Sequence, residues 1–154
     1  MTKILWTDGS ASPNPGPGGF AVIENGEPIR LGREKNSSNI RMEGAALIAA
    51  MEYAGEENCE IYTDSQFWKN VLEVWARGWE DRNWTKRSGE IKNLEMVKTA
   101  WRFYKKGKAE IKWVRGHVGT EMNELADKWA NKAREGAEVE GKSVVLEKLL
   151  RKER

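Results

Sequence analysis

Two apolar stretches of the chain are each followed by an aspartate after a threonine. Asp8 follows the run Ile4–Thr7, and Asp64 follows the run Cys59–Thr63. A carboxylate at the end of a predicted core strand is costly to desolvate unless a cation or a set of donors meets it. The turn-forming residues after Asp8 also fit a simple surface turn. This stretch alone does not separate a turn from a functional site.

Two further acids lie near predicted helix starts. Glu43 lies in the first turn of one predicted helix, and Asp127 lies one turn after Asn123 on the same face of another. Strand ends and helix starts can converge on one edge of a mixed sheet, so Asp8, Glu43, Asp64 and Asp127 are candidates for one pocket. Converging carboxylates repel one another without a multivalent cation, and an all-oxygen site suits Mg²⁺ or Mn²⁺ rather than zinc. The residues alone leave open that Glu43 and Asp127 are ordinary charges on helix surfaces.

The elements that must position these acids are predicted from apolar periodicity and turn residues. Strands are predicted at Ile4–Thr7, Gly19–Glu24, Pro28–Glu34, Cys59–Asp64 and Ala109–Val114. Helices are predicted at Arg41–Ala54 with Asn39 as cap, after Ser65, at Glu90–Lys105, and at Glu121–Arg134 with Met122, Leu125, Trp129 and Ala133 inward. Residues 75–88 are predicted to be irregular. Three meander strands followed by alternating helices and strands predict a mixed sheet with helices packed on it.

Charge is unevenly distributed along the 154 residues, although the net charge is only +2. Residues 1–64 hold 10 acidic and 5 basic side chains, whereas residues 65–154 hold 14 acidic and 21 basic ones. An acidic half and a basic half suggest a bound polyanion with cations between. Solvated charged faces are the alternative interpretation.

The cysteine and histidine content excludes several kinds of site. Cys59 is the single cysteine and His117 the single histidine, so an internal disulfide, a multi-cysteine zinc site and a histidine cluster are excluded. The sequence has no apolar stretch of membrane-spanning length and no targeting pattern at its N-terminus. We therefore expect a cytoplasmic protein with no membrane partner.

Five motifs together resemble one known family. They are 7-TDGS-10, 14-NPGPGGF-20, 41-RME-43, 63-TDSQ-66 and 116-GHVGTEMNELAD-127. In order, spacing and structural context they resemble the type 1 ribonuclease H family over most of the chain. The resemblance implies a ribonuclease H-like α/β fold: a five-stranded sheet, three strands antiparallel and then two parallel, with helices on both faces. It implies a catalytic domain at residues 1–135 and a tail at residues 136–154 that forms a short helix or stays mobile.

The resemblance also implies an activity and its cofactors. Such an enzyme cuts the RNA strand of an RNA/DNA hybrid and leaves 5′-phosphate and 3′-hydroxyl ends. It would use two Mg²⁺ ions, with Mn²⁺ as a substitute. By the resemblance, Asp8 touches both ions, Asp127 the ion that activates the attacking water, and Glu43 and Asp64 the ion at the leaving 3′-oxygen. His117 corresponds to a mobile histidine that assists water activation or product release.

The substrate contacts implied by the resemblance fall into two groups. Asn14, Asn39 and Gln66 match contacts to the minor groove of the hybrid, although Ile40 stands where the family often has a second asparagine. The basic segment 75–89 resembles a protrusion that holds the DNA strand, and its binding residues are expected to be Trp79, Trp84, Lys86 and Arg87.

Two other functions remain open at this point. One is a nuclease or strand transferase of the same superfold that acts on DNA. The other is a non-catalytic RNA/DNA hybrid-binding module of the same fold, in which the acids are vestigial. The intact set of four acids favours the enzyme, and we expect it to act as a monomer.

Overall fold

The sheet positions every element that carries a candidate residue. The computed structural model describes residues 2–115 and 121–151. In that part five strands form one sheet in the order β3-β2-β1-β4-β5. The strands are β1 (Lys3–Ala11), β2 (Gly16–Glu24), β3 (Glu27–Ser37), β4 (Asn58–Thr63) and β5 (Lys108–Trp113). β2 is antiparallel to β1 and β3, whereas β4 is parallel to β1 and β5. The predicted mixed sheet of three antiparallel strands followed by two parallel ones is confirmed.

Helices follow or connect these strands. The described helices are α1 (Asn39–Ala54), α2 (Gln66–Asn70), α3 (Ala76–Asp81), α4 (Leu94–Lys106), α5 (Glu121–Arg134) and α6 (Leu146–Arg151). A π-helical turn, Val71–Trp75, joins α2 to α3. The prediction of an irregular segment from residue 75 is therefore wrong for α3. None of the described helices combines the length and the apolarity needed to cross a bilayer.

Neighbouring glycines in β2 place helices on both faces of the sheet. A Cβ atom at Gly18 would lie 2.7 Å from Cγ of Met42 in α1. A Cβ atom at Gly19 would lie 2.4 Å from the carbonyl oxygen of Ala130 in α5. Because successive residues of a strand point to opposite faces, α1 and α5 pack on opposite sides of the sheet.

The two faces carry cores of different thickness. On the α1 side a large core includes Leu5, Phe20, Ile61, Trp68 and the leucines of α6. On the α5 side the buried core consists of Ala21, Leu31, Ala130 and Ala133. Of the predicted inward residues of α5, Ala133 is buried and Trp129 packs, partly buried, against this core. The prediction is wrong for Met122 and Leu125, which are partly exposed, and it missed the buried Asn123, Ala126 and Ala130. Small side chains allow the close approach of α5 to Gly19.

Two helix starts differ from the predicted ones. Ser38, not Asn39, caps α1, and its Oγ accepts a hydrogen bond of 3.1 Å from the backbone N–H of Arg41. α4 begins at Leu94, four residues later than predicted. Asn93 has a left-handed backbone (φ 58°), which a continuous right-handed helix does not contain.

The C-terminal segment joins the same body as the sheet. Leu31 N–H donates to the Lys142 carbonyl (3.0 Å), and Val144 N–H donates to the Leu31 carbonyl (2.8 Å). The segment then enters α6, whose three leucines are buried in the large core: Leu146, Leu149 and Leu150. The division of the chain at residue 135 stays a prediction.

Replacing Leu146 by alanine should lower the free energy of unfolding by about 2–4 kcal/mol, because it leaves a cavity in the large core. Leu146 is 1% exposed, whereas its neighbour Val145 is 55% exposed. Val145→Ala is therefore the matched control, with an expected change within about 0.5 kcal/mol. Urea denaturation of both variants measures their free energies of unfolding. Equal decreases in the two variants would contradict a structural role for α6.

Candidate active site

Asp8 and Asp64 lie at the same level of two neighbouring parallel strands. β1 and β4 pair as far as Trp6 and Tyr62, and each aspartate follows two residues later. β1 itself continues to Ala11 through its pairing with β2, so the prediction that the strand ends before Asp8 is wrong. Asp8 instead lies inside the strand, beyond the last residue that pairs with β4. The end of that pairing leaves room for side chains between the two strands.

Glu43 reaches this edge because α1 lies directly against β1 at Gly9. A Cβ atom at Gly9 would lie 2.3 Å from the carbonyl carbon of Met42 and 2.7 Å from the backbone nitrogen of Glu43. No side chain fits at these distances. The glycine next to Asp8 in the Thr-Asp-Gly-Ser motif is therefore what allows the helix that carries Glu43 to approach.

Asp127 comes from the opposite face of the sheet, on α5. Its carboxyl group lies near that of Asp8 and raises the pKa of Asp8. One turn further along α5, Asn131 Oδ1 accepts a hydrogen bond of 3.3 Å from Ser10 Oγ in β1. One turn earlier, Asn123 is buried. These contacts fix α5 relative to β1 around the two aspartates.

Burial and neighbouring carboxylates raise the pKa values of Asp8 and Glu43. Burial, followed by the charge of Asp64 and the hydrogen bond and charge of Asp127, raises the pKa of Asp8 to about 9, against a smaller lowering by the backbone N–H of Gly9. Burial and the charge of Asp64 raise the pKa of Glu43 to about 7, and a hydrogen bond from Ser65 opposes this shift. Negative charge is therefore unfavourable in this pocket unless a cation compensates it.

The four acids meet in pairs. Asp8 interacts with Asp64 and Asp127, and Glu43 interacts with Asp64. Among residues 2–115 and 121–151, no three His, Cys, Asp or Glu side chains form a preassembled metal cluster. The donor set nevertheless fits a hard divalent cation, since it consists of carboxylate oxygen atoms. That Asp8, Glu43, Asp64 and Asp127 together bind a metal ion stays a prediction.

Sequence reasoning missed the residues that orient the two aspartates. Thr7 Oγ1 donates to the carbonyl of Tyr62 in β4 (2.8 Å), and so ties β1 to β4 one residue before Asp8. Thr63 Oγ1 accepts from the backbone N–H of Ser65 (3.0 Å) and so shapes the turn around Asp64. Both threonines are buried. The repeated Thr-Asp dipeptide was the available signal for both roles.

Two of the three predicted minor-groove residues, Asn14 and Asn39, are in direct contact. Asn14 Oδ1 accepts from the backbone N–H of Asn39 (3.0 Å), and Asn39 Oδ1 accepts from the backbone N–H of Ala11 (2.7 Å). Both amide oxygens therefore accept hydrogen bonds from backbone N–H groups, which leaves both NH₂ groups as donors. Gln66 is the exposed first residue of α2, two residues after Asp64. Ile40 is 38% exposed beside Asn39.

The predicted protrusion residues divide into separate groups. Trp79 and Lys86 line one cleft of about 400 Å³ together with Phe67, Trp75, Ile91 and Lys92. Trp84 instead lies under Lys98, whose Nζ is 5.8 Å from the centre of its ring. Arg87 is exposed and does not line the cleft. The cleft combines aromatic faces with two cations, as a surface that holds a nucleic-acid strand requires.

His117 lies outside the described residues, and its role stays a prediction. The described chain ends at Arg115 after β5 and resumes at Glu121, the first residue of α5. The segment that contains His117 therefore connects β5 to the helix that carries Asp127.

Known proteins resemble this chain in sequence and in fold. Residues 1–135 match the model of the RNase H family. A ribonuclease H of Granulibacter bethesdensis is 39% identical over 136 residues, which are 84% of this chain and 90% of that protein. The crystal structure of LC9-RNase H1, a type 1 RNase H with the type 2 active-site motif, has a TM-score of 0.72 at 23% identity and covers 92% of this chain and 77% of its own. A foamy viral protease-reverse transcriptase in complex with RNA/DNA hybrid has a TM-score of 0.71 at 17% identity, over 86% of this chain and 20% of its own.

Asp8→Asn should stabilise the metal-free protein near neutral pH. The pKa of Asp8, about 9 in the folded state, lies above the ordinary value of 3.8. The folded state thus binds more protons than the unfolded state, and stability falls as the pH rises between these values. Asparagine removes this pH-dependent destabilisation, so we expect a gain of at least about 1 kcal/mol near pH 8 that fades toward pH 4.

Urea denaturation in EDTA across this pH range measures the effect. Glu110→Gln is the control, because Glu110 is an exposed acid in β5. If Asp8→Asn instead lowers the free energy of unfolding relative to the parent chain, and does so equally at pH 8 and pH 4, the repulsion among the acids is contradicted.

Proposed function

Because the chain belongs to the ribonuclease H family, whose enzymes hydrolyse RNA in RNA/DNA hybrids, we propose that it is a metal-dependent endonuclease of this kind. It cuts the RNA strand internally and leaves 5′-phosphate and 3′-hydroxyl ends. The observation that carries the proposal is the convergence of Asp8, Glu43, Asp64 and Asp127 from two strands and two helices. A structural charge cluster has no reason to place mutually repelling acids on elements from both faces of a sheet.

The proposed cofactor is a pair of Mg²⁺ ions, with Mn²⁺ as a substitute, held by Asp8, Glu43, Asp64 and Asp127. When bound, such ions lower the pKa of water and stabilise the charge that develops on the phosphate and on the leaving oxygen. The raised pKa values of Asp8 and Glu43 support the proposal, because these groups become favourable anions only beside a cation.

Protein groups keep the carboxylates oriented for this chemistry. The backbone N–H of Gly9 hydrogen-bonds to Asp8, and Ser65 hydrogen-bonds to Glu43. Both bonds favour the ionised carboxylate and reduce its rotational freedom before substrate arrives. His117 is proposed to transfer a proton near the reacting phosphate or to assist product release, because it precedes the helix of Asp127 in the chain.

Recognition of the hybrid is assigned to donors beside the acids. The NH₂ groups of Asn14 and Asn39 are proposed to meet minor-groove acceptors and 2′-hydroxyl oxygens, and Gln66 contacts the same groove from α2. Similarity of the fold to the reverse transcriptase solved with an RNA/DNA hybrid supports this class of substrate.

The DNA strand is assigned to the protrusion. Trp79 and Lys86 line its cleft, and Trp84 and Arg87 are proposed to contact the same strand from other positions of the protrusion. Aromatic faces stack on bases or sugars irrespective of sequence, and cations neutralise phosphates. A non-catalytic hybrid-binding module would use the same contacts, and cleavage alone separates that alternative from the enzyme.

The central test is cleavage of labelled RNA/DNA hybrid, duplex DNA and duplex RNA, each with Mg²⁺ and with EDTA. We expect cleavage of the hybrid alone, in the RNA strand, and only with metal. Asp8→Asn should reduce kcat by roughly 10³-fold or more, because it removes charge that the metal requires. Hybrid binding, measured by fluorescence anisotropy in EDTA, should change little.

Glu110→Gln is the matched control, since it removes an exposed carboxylate from β5 and should leave cleavage unchanged. Hybrid binding without any Mg²⁺-dependent cleavage by the parent chain would favour the binding module. Substantial turnover by Asp8→Asn would contradict the assignment of the four acids as metal ligands.

Lys86→Ala/Arg87→Ala should raise KM for the hybrid and leave kcat nearly unchanged, because these cations lie in the protrusion rather than among the acids. The slope of log K against log[salt] should become shallower by about 0.9 for each phosphate that the protein no longer neutralises. Lys148→Ala/Arg151→Ala removes the same charge from exposed positions of α6 and is the control. If both double variants change the slope equally, net charge rather than a specific contact explains the result.

A further inference from the structure

Trp68 connects the segment after Asp64 to the helix that carries Glu43. It is the largest fully buried side chain of the described residues. Its Nε1 donates a hydrogen bond of 2.7 Å to the carbonyl oxygen of Ile40, in the first turn of α1. Ile40 lies three residues before Glu43, and Trp68 lies four residues after Asp64. A single side chain thus spans the two elements that present these acids.

Gly44 provides the space for the indole ring. A Cβ atom at this position would lie 2.5 Å from Cζ2 and 2.7 Å from Cε2 of Trp68. A glycine inside a helix costs about 0.5–1 kcal/mol relative to alanine. The close contact of the ring with the α1 backbone explains why a glycine stands here, immediately after Glu43.

The other side of Trp68 is fixed to the turn around Asp64. The backbone N–H of Trp68 donates to Ser65 Oγ (3.1 Å), and the backbone N–H of Ser65 donates to Thr63 Oγ1 (3.0 Å). The side chain of Ser65 also lies near Glu43 and favours its ionised form. These bonds join buried groups, so a displacement of the Trp68 ring would displace both Glu43 and Asp64.

We propose that Trp68 is a positioning residue that fixes Glu43 relative to Asp64 and so sets the affinity of the pocket for divalent cations. The two acids repel, and without a restraint α1 and the turn after β4 would relax apart. The indole hydrogen bond and the contact with Gly44 oppose that movement. The inference deepens the proposed function and rests on it for the catalytic readout.

Trp68→Phe removes the indole N–H and keeps an aromatic ring. Its matched control is Trp101→Phe: Trp101 is 3% exposed, and its Nε1 donates to Glu80 Oε1 (2.9 Å). Its ring neighbour is Tyr104, on α4. Each variant removes one indole hydrogen bond, but only Trp68 donates that bond to the helix of Glu43.

Calorimetric titration of the folded proteins with Mg²⁺ is the first readout. Trp68→Phe should weaken Mg²⁺ binding by roughly tenfold, as removal of groups that orient metal ligands commonly does. Trp101→Phe should bind Mg²⁺ like the parent chain. In hybrid cleavage, Trp68→Phe should show a reduced kcat at low Mg²⁺, regain most of it at high Mg²⁺, and keep the parent KM.

A second variant covers the case in which Trp68→Phe does not fold. Benzothienylalanine at position 68 keeps the ring shape and replaces the N–H by sulfur, so only the donor is removed. It should weaken Mg²⁺ binding in the same direction. Parent-like Mg²⁺ affinity in either folded variant, or equal weakening in Trp101→Phe, would overturn the proposal.

Failure of the proposed function has a different signature. If the parent chain binds Mg²⁺ but does not cleave the hybrid, the function is wrong, and the calorimetric comparison still decides the role of Trp68. If the parent chain cleaves the hybrid and the variants bind Mg²⁺ as it does, only the role of Trp68 is wrong. A parent chain that binds no Mg²⁺ would overturn both.

Discussion

Repulsion among clustered carboxylates is the constraint on which the rest of this structure depends. Asp8 is buried beside Asp64 and Asp127, and Glu43 is half-buried beside Asp64. Such an arrangement would separate unless the backbones that carry the acids were held independently. The sheet provides that support because β1 is hydrogen-bonded to β2 on one side and to β4 on the other. In addition, α1 and α5 pack on opposite faces of β2. Free energy gained in the cores thus offsets the electrostatic cost at the edge.

The two faces of the sheet meet different requirements. On the α1 side, large side chains fill a deep core, which fixes the helix that carries Glu43. On the α5 side, Ala130 and Ala133 face Ala21 and Leu31, so the helix backbone comes close to the sheet. Close approach of α5 brings the charge of Asp127 near Asp8, whose pKa it raises. The small residues of α5 are therefore a condition for the site as well as for packing.

The sequence predicted the strands better than the details that complete the site. Asp8 and Asp64 could be identified as candidates from the local sequence, because an acid directly after an apolar strand is unusual. Glu43 and Asp127 needed the resemblance to a family, since acids on helix surfaces are common. The extension of β1 beyond Asp8 was missed because it depends on pairing with β2. The buried Asn123, Ala126 and Ala130 of α5 were missed because small size, not hydrophobicity, selects the residues nearest the sheet. Trp68 was missed as well, because only the fold brings its indole to Ile40 and Gly44, 28 and 24 residues earlier in the chain.

Hydrogen bonds within the protein also explain how the proposed substrate would be recognised without base sequence. The side-chain oxygens of Asn14 and Asn39 accept backbone N–H groups, so these residues present donors outward. Every base pair offers acceptors in the minor groove, and each ribose adds a 2′-hydroxyl. A pair of fixed donors can therefore select RNA geometry while it tolerates any sequence. Ile40, exposed beside them, has no hydrogen-bonding side chain, which concentrates polar recognition on the two asparagines and Gln66.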